Sequence, residues 1–462
     1  MDEGGSGTAT RAWAEWVTGF RPEHVPDPVR ARAMRMILDG SGALLAAADP
    51  RISTGRLVAG FVRELGGAPQ ASVVGHGFKT GTVNAALANG TMGYACDVEP
   101  HHPEGVLHPI AVMIPTALAL AEANGLSGAR FVAAVVLGCE IEYRLSMALG
   151  PVEQYDLGFH PSAVCGCFGA TAASAFLLGL DADATVRAFG LAGCQASGLM
   201  AWESDATENA RPFQMGMAAR NGVTAALLAG AGFGGPIGIL DRGHTVFRAF
   251  SRKPTRAHLT AELGARFDGI MELAVKPYSS VSFLHPGLDS LLGLARREKL
   301  AIEDIDSIVL RFPSSGTHCI DGNPLKSHCA QYILPVALTR GGLGVLDLFE
   351  DRRLIDPEVA RLAARVTVVK DDELDRGFPN SYDTAIEVTT RDGRRFAERN
   401  GIARGYPEAP LTDAEIRAKF DGLLAAVAAP ARIADLAATV EGLWTAPDVA
   451  RYAALLGAPP DA

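Results

Sequence analysis

Apolar and polar positions divide the chain into two textures. From residue 26 to about 231 the pattern is helical, in stretches at 29–45, 82–93, 106–124, 127–149, 162–179, 183–199 and 211–231. Most of these are rich in Ala, Leu and Gly and apolar nearly all round, as befits helices in the middle of a bundle or at a subunit interface. Pro26-Asp27-Pro28 offers Asp27 as an N-cap and Pro28 at the first helical position. After about residue 265, short β-branched runs begin at Asp306, Ala364 and Thr384, and Arg391-Asp-Gly-Arg predicts a hairpin turn. Helical pieces near 286–297, 328–340 and 356–363 lie between them. Thr412-Asp-Ala-Glu is a capping box opening a closing helical segment.

The expected fold is therefore mainly α. A large helical-bundle domain is built from 1–265 and 403–462, with a smaller α+β domain from 266–402. A chain of 462 residues exceeds one ordinary core, which agrees with two domains.

Composition narrows the function. The 42 Lys and Arg against 52 Asp and Glu give a net charge of −10, and no basic block offsets it, so a nucleic-acid surface is not expected. Seven cysteines, odd in number, mostly apolar in setting and without a Cys-x-x-Cys, read as reduced thiols of a cytoplasmic protein. The start, Met-Asp-Glu-Gly-Gly-Ser-Gly, is acidic and unlike a signal peptide, and no apolar run approaches the ~20 residues of a membrane span.

One loop concentrates chemistry. Asp97, Glu99, His101, His102, Glu104 and His108 fall within twelve residues, between small apolar stretches and stiffened by Pro100, Pro103 and Pro109. Imidazoles exchange protons near neutral pH and carboxylates orient them, so His108 is a candidate acid or base, with Asp97 orienting a partner. The alternatives are a solvated acidic turn or a zinc or manganese site, although the spacing matches no helix-borne His-x-x-x-His motif. A second histidine, His160, opens the Cys165-Gly-Cys helix with Tyr155 and Asp156 just before it. Arg211 and Lys276 are cations set among apolar residues and next to prolines, which suits carboxylate binding. Gly230-Ala-Gly-Phe-Gly-Gly follows a helix and not a strand, so it is no dinucleotide loop.

These segments resemble the MmgE/PrpD family, which includes 2-methylcitrate dehydratase, cis-aconitate decarboxylase and iminodisuccinate epimerase. The likeness rests on Ile37-Leu-Asp-Gly-Ser-Gly, Asn89-Gly-Thr-Met-Gly-Tyr-Ala, His108-Pro-Ile-Ala-Val-Met-Ile-Pro, Gly158-Phe-His-Pro-Ser-Ala, Gly216-Met-Ala-Ala-Arg-Asn-Gly, Val275-Lys-Pro-Tyr and Cys329-Ala-Gln-Tyr, in that order along nearly the whole chain. The resemblance implies a helical domain with a smaller α+β lid, a homodimer, and a site between the domains that needs no cofactor. It places the family's loop aspartate on Asp97, its histidines on His108 and His160, its catalytic lysine on Lys276 and its lid tyrosine on Tyr332. A family lysine becomes Arg211, and Tyr155 falls near the epimerase branch's catalytic tyrosine. The family's Asp-Asp-Thr is replaced by Glu99-Pro-His-His, so His101 and His102 are where this chain is expected to read its substrate.

The expected activity is a cofactor-free lyase. It abstracts a proton α to a carboxylate of a small di- or tricarboxylic acid, followed by dehydration or decarboxylation. Arg211 and Lys276 hold carboxylates, one histidine acts as base, and the other or Tyr155 as acid. An epimerase of an aspartate-derived dicarboxylate is the alternative, and a metal-dependent hydrolase stands behind both.

Overall fold

The computed structural model describes residues 8–378 and 382–461; the acidic start at 1–7 lies outside them. Ten helices make up the first part: α1 (Ala9–Gly19), α2 (Asp27–Ala46), α3 (Ser53–Leu65), α4 (Thr82–Ala95), α5 (Pro109–Ala123), α6 (Gly128–Leu149), α7 (Pro151–Asp156), α8 (Pro161–Leu178), α9 (Ala182–Gln195) and α10 (Ala210–Gly230). A small antiparallel hairpin, β1 (Ala71–Val73) with β2 (Phe78–Thr80), sits between α3 and α4. The sequence reading missed α1, α3 and this hairpin. It also placed the start of α2 one residue late, since Pro26 is the N-cap and Asp27 already lies in the first turn.

Helix α8 is apolar on every side, with all but its last residue buried. By length and composition it would suffice to cross a membrane, yet 94% of its apolar window is covered by the surrounding helices. It packs against α5, α6, α9 and α10. Small residues make such close crossings possible. At the crossing of α4 and α10, a Cβ on Gly90 would lie 2.8 Å from the Gly216 Cα, and one on Gly216 would collide with Thr91 Oγ1 and the Leu87 carbonyl. This crossing matters because α4 runs out into the 97–108 loop and Arg211 stands at the start of α10. Gly216→Ala is therefore expected to push the helices apart, costing about 1–3 kcal/mol in chemical denaturation together with most of the activity.

The four-stranded sheet has the order β4-β3-β5-β6, from β3 (Ile305–Pro313), β4 (Val366–Asp371), β5 (Thr384–Thr390) and β6 (Arg395–Asn400). β3 and β4 are parallel, joined by a crossover carrying the helices Ala330–Arg340 and Pro357–Ala363, while β3–β5 and β5–β6 are antiparallel. Ile308 pairs with Val366 on one side and Val388 on the other. Buried residues alternate along β5 (Thr384, Ile386, Val388, Thr390), as expected of a sheet with one covered face.

Buried apolar side chains form two clusters. One draws on residues 13–275, Val345 and 416–456; the other runs from Tyr278 to Val388. The helix Asp413–Leu424 opens with the expected capping box, Thr412 with Glu415, and packs on α2.

Candidate active site

The reactive groups are gathered where the chain passes between the two cores. His101 and Ala274 exchange both backbone hydrogen bonds (3.0 and 2.7 Å), which sews the loop to the segment carrying Lys276. Within the loop, His102 and Leu107 form a second such bridge. The loop is not a solvated turn: Asp97, Glu99, His101 and His102 are all buried.

Asp97 stands at the centre. Its backbone is left-handed (φ 48°), an uncommon conformation that Asp adopts more readily than most side chains. The carboxylate accepts from Lys276 Nζ through Oδ1 and from Arg211 Nη1 through Oδ2 at 3.1 Å. Burial alone would raise its pKa. The Arg211 and Lys276 charges override that and hold the carboxyl well below the usual range. The Arg211 guanidinium lies over the rings of Tyr94 (4.8 Å) and Trp202 (5.4 Å).

The histidines share a local design. His108 and His160 each occupy the N-cap position of a helix whose first residue is proline, α5 and α8 respectively. The positive end of a helix disfavours an imidazolium there. His108 Nδ1 donates to Glu99 Oε1 at 2.6 Å, so its Nε2 accepts from the Tyr94 hydroxyl at 3.0 Å. Arg211 Nη1 in turn donates to that hydroxyl at 3.3 Å. Gln214 fixes His160: its amide nitrogen donates to the Leu199 carbonyl, which turns Oε1 toward His160 Nδ1 at 3.0 Å. That assigns the His160 proton to Nδ1 and leaves Nε2 as a buried lone pair with no partner among the described residues. Around His160 stand Trp202, Tyr94, Tyr155 and His108, with ring centroids 5.9, 6.2, 6.2 and 6.3 Å away.

Burial keeps these imidazoles neutral. It lowers His160, His285 and His328 to about 3 and His102 to about 4; His101 and His108 are lowered by the same cause. Burial likewise raises the Tyr155 phenol, keeping it protonated. The sign of the pH effect follows. Below the ordinary pKa of about 6.5 the unfolded chain binds protons that the folded chain refuses, so stability falls as pH falls from about 6.5 toward 3. Each of the three histidines lowered to about 3 contributes up to roughly 1.4 kcal/mol per pH unit across that window. The urea midpoint is expected to drop steeply between pH 7 and pH 5; a midpoint constant over that range would refute neutral burial of these side chains.

The structure brings together Asp97, His101, His108, Tyr155, His160, Arg211 and Lys276. It gives other work to three of the expected groups. The carboxylate that orients His108 is Glu99 and not Asp97, whose two oxygens are taken by cations. His102 stacks on Tyr143 at 4.5 Å, accepts from Gly105 N (3.1 Å) and faces the Asp268 carbonyl, so it shapes the loop instead of facing a substrate. Tyr332 donates to the main-chain carbonyls of Asp347 and Glu350 and accepts from Arg352 N, which holds it inside the second core. Conversely Tyr94, Trp202, Glu208, Gln214, Ser327 and His328 belong to the centre without having been read as site residues. Gln214 was the most accessible of these, one helical turn beyond Arg211.

Lys419 adds an outer support. It is paired with Asp39 Oδ1 at 2.7 Å and donates to the Val98 carbonyl at 2.7 Å, between the two loop carboxylates. Among the described residues, no three His, Cys, Asp or Glu side chains converge in a way that would hold a metal ion. All seven cysteines are free.

Comparison with known proteins identifies the family. Residues 11–258 match the model of the MmgE/PrpD N-terminal domain and residues 278–442 that of the C-terminal domain. The chain is 29% identical to a cis-aconitate decarboxylase-like protein of Aspergillus oryzae over 480 aligned positions, covering 97% of each. It is 27% identical to the cis-aconitate decarboxylase of Aspergillus terreus, over 99% of this chain and 98% of that one. A 2-methylcitrate dehydratase of Cupriavidus necator is 34% identical over 116 positions, 23% of each chain.

Proposed function

The chain belongs to the MmgE/PrpD family, and from that premise and the geometry around Asp97 we propose that it is a lyase of small tricarboxylic acids of the aconitate–citrate class, acting by proton transfer and decarboxylation without a cofactor. Enzyme activity of the lyase kind follows from its relatives, a cis-aconitate decarboxylase and a cis-aconitate decarboxylase-like protein, each matched along nearly its whole length. The observation that carries the finer reading is the meeting of two buried cations, Arg211 and Lys276, with two neutral histidines of assigned tautomer.

In this reading Arg211 and Lys276 hold substrate carboxylates and stabilise the charge that develops when a carbon–carbon bond breaks, the largest electrostatic contribution. His160 Nε2 takes a proton from the methylene carbon, the electron pair moves into a dienolate spread over a bound carboxylate, and the same proton is returned at the far end of that system, shifting the double bond. The bond between the newly saturated carbon and its carboxylate then breaks. Carbon dioxide leaves, and the electron pair moves through the double bond to a carbon that takes one further proton from the site, so that one proton is consumed per carbon dioxide released. His108, backed by Glu99 and in contact with Tyr94, is placed to shuttle protons on the other side.

Dehydration is the second reading, supported by the stretch shared with 2-methylcitrate dehydratase. The same base would remove the α-proton while a protonated group, Tyr94 or Tyr155, helps hydroxide leave as water.

The test is incubation with cis-aconitate, citrate and 2-methylcitrate in deuterated water, followed by NMR and carbon dioxide release. Carbon dioxide with one deuterium in the product is the expected outcome for cis-aconitate. Loss or gain of water alone would favour dehydration. Deuterium wash-in without net product, on an aspartate-derived acid, would favour epimerisation. No turnover of any tricarboxylate overturns the proposal.

A further inference from the structure

One carboxylate at the centre has a position unlike the others. Glu208 lies in the turn before α10, in a left-handed conformation (φ 55°). That turn is gathered by Asp205, whose carboxylate accepts from the backbone N–H groups of Thr207, Asn209 and Ala210 at 3.0, 3.0 and 2.8 Å. Glu208 Oε1 accepts from Ser327 N at 3.2 Å, and Oε2 from Ser327 Oγ at 2.6 Å and Arg211 Nη2 at 3.4 Å. Ser327 belongs to the stretch that packs with the second core, so this one side chain joins the helical part to the sheet-bearing part.

Three donors converging on two carboxylate oxygens are what a substrate carboxylate would require. Nearby donors remain unused: among the described residues, the buried Arg211 Nε and Trp202 Nε1 have no partner. The Trp202 ring borders both Arg211 (5.4 Å) and His328 (6.0 Å). The cradle thus offers more donors than Glu208 uses.

Charge points the same way. With neutral histidines, Asp97, Glu99 and Glu208 set three negative charges against Arg211 and Lys276. A polyanion entering that surplus is repelled; with Glu208 withdrawn, the remaining charges cancel. Glu208 is also the member with access to water, its side chain 16% exposed against 5% for Arg211 and 1% for Asp97.

We propose that Glu208 is an internal stand-in for a substrate carboxylate, occupying a subsite made by Ser327 N–H, Ser327 Oγ and Arg211 Nη2, and that a polycarboxylate binds by displacing it. The inference rests on the tricarboxylate reading above but concerns binding alone, so it is tested without turnover. The probe is tricarballylate, a saturated tricarboxylate with neither double bond nor hydroxyl, titrated calorimetrically into the full chain.

Glu208→Gln keeps the shape and removes the competing charge. It is expected to lower the dissociation constant about tenfold, whereas Ser327→Ala raises it about tenfold. Thermal stabilisation by the same ligand in Glu208→Ala supplies a second measurement, expected to exceed that of the wild type. If the wild type binds and Glu208→Gln binds equally or less tightly, the stand-in is overturned while the tricarboxylate reading survives. If neither wild type nor variants bind, both fall. Binding with the expected pattern but no turnover of any tricarboxylate would uphold the subsite and remove only the reaction.

Discussion

Replacing His160 by alanine is expected to lower kcat by roughly 10²–10⁴, with KM changed far less. Its Nε2 carries an assigned lone pair with no partner among the described residues, on a ring held in place by Gln214. Gln214 supplies the orientation, and burial beneath Trp202, Tyr94 and Tyr155 keeps bulk water from competing for the proton. His108 differs, because its Nε2 already accepts from Tyr94 and can act only after that bond is released. His108→Ala is therefore expected to impair the reaction less than His160→Ala. Circular dichroism and the urea midpoint should show that the His160 variant is folded. A folded variant retaining kcat within about threefold of the wild type would remove His160 from the role of base. Gln214→Leu provides a graded control: with the tautomer no longer fixed, an intermediate loss is expected.

The second large effect concerns the cations. Lys276→Met leaves Asp97 buried with Arg211 as its remaining partner, and breaking a buried pair in this way costs about 3–5 kcal/mol. Asp97→Asn alone removes the carboxylate the two buried cations share, leaving Glu208 at 3.4 Å from Arg211 and Glu99 at 3.9 Å from Lys276 as their only acids among the described residues, a loss of the same order. The double variant removes both halves of the Lys276–Asp97 pair and should be more stable than the sum of the single changes implies, a positive coupling in a double-mutant cycle. Activity should follow a different course. All three variants are expected to be essentially inactive, because the double variant regains stability but not the lysine that meets substrate charge. Additive stability effects would show that the pair is not coupled. Activity restored in the double variant would show that Lys276 serves the fold and not the reaction.

Much of the scaffold is legible in the sequence because its signals are local. The Ala- and Gly-rich stretches are helices, since small apolar side chains on every face belong only inside a bundle, and α8 is that case carried to completion. His-Pro marks the starts of α5 and α8 because proline is pre-shaped for the first helical position. By contrast, α3 lacks the all-round apolar signature of the bundle interior: Val58, Ala59 and Val62 are buried, while Leu57, Phe61 and Leu65 stay exposed. The site was legible as an inventory more than as an arrangement. Glu99 and Asp97 are two residues apart with the same chemistry, and nothing local says which faces an imidazole and which faces cations. That choice follows from Lys276, 179 residues further on, and from the glycine-permitted crossing that carries Arg211 to Tyr94. Tyr332 and His102 show the reverse: each has a suggestive sequence position and a hydroxyl or imidazole engaged elsewhere.

The contact between Lys419 and the Val98 carbonyl gives the order of synthesis a chemical meaning. Asp39, the 97–99 turn and Lys419 are drawn from early, middle and late stretches of the chain, and the last of them is translated more than three hundred residues after the turn it supports. The bundle helices, the histidines, Arg211 and Lys276 are all synthesised before that ammonium group emerges. Until then the Asp97 turn lacks its outer tether, which comes from a lysine that touches none of the reacting groups.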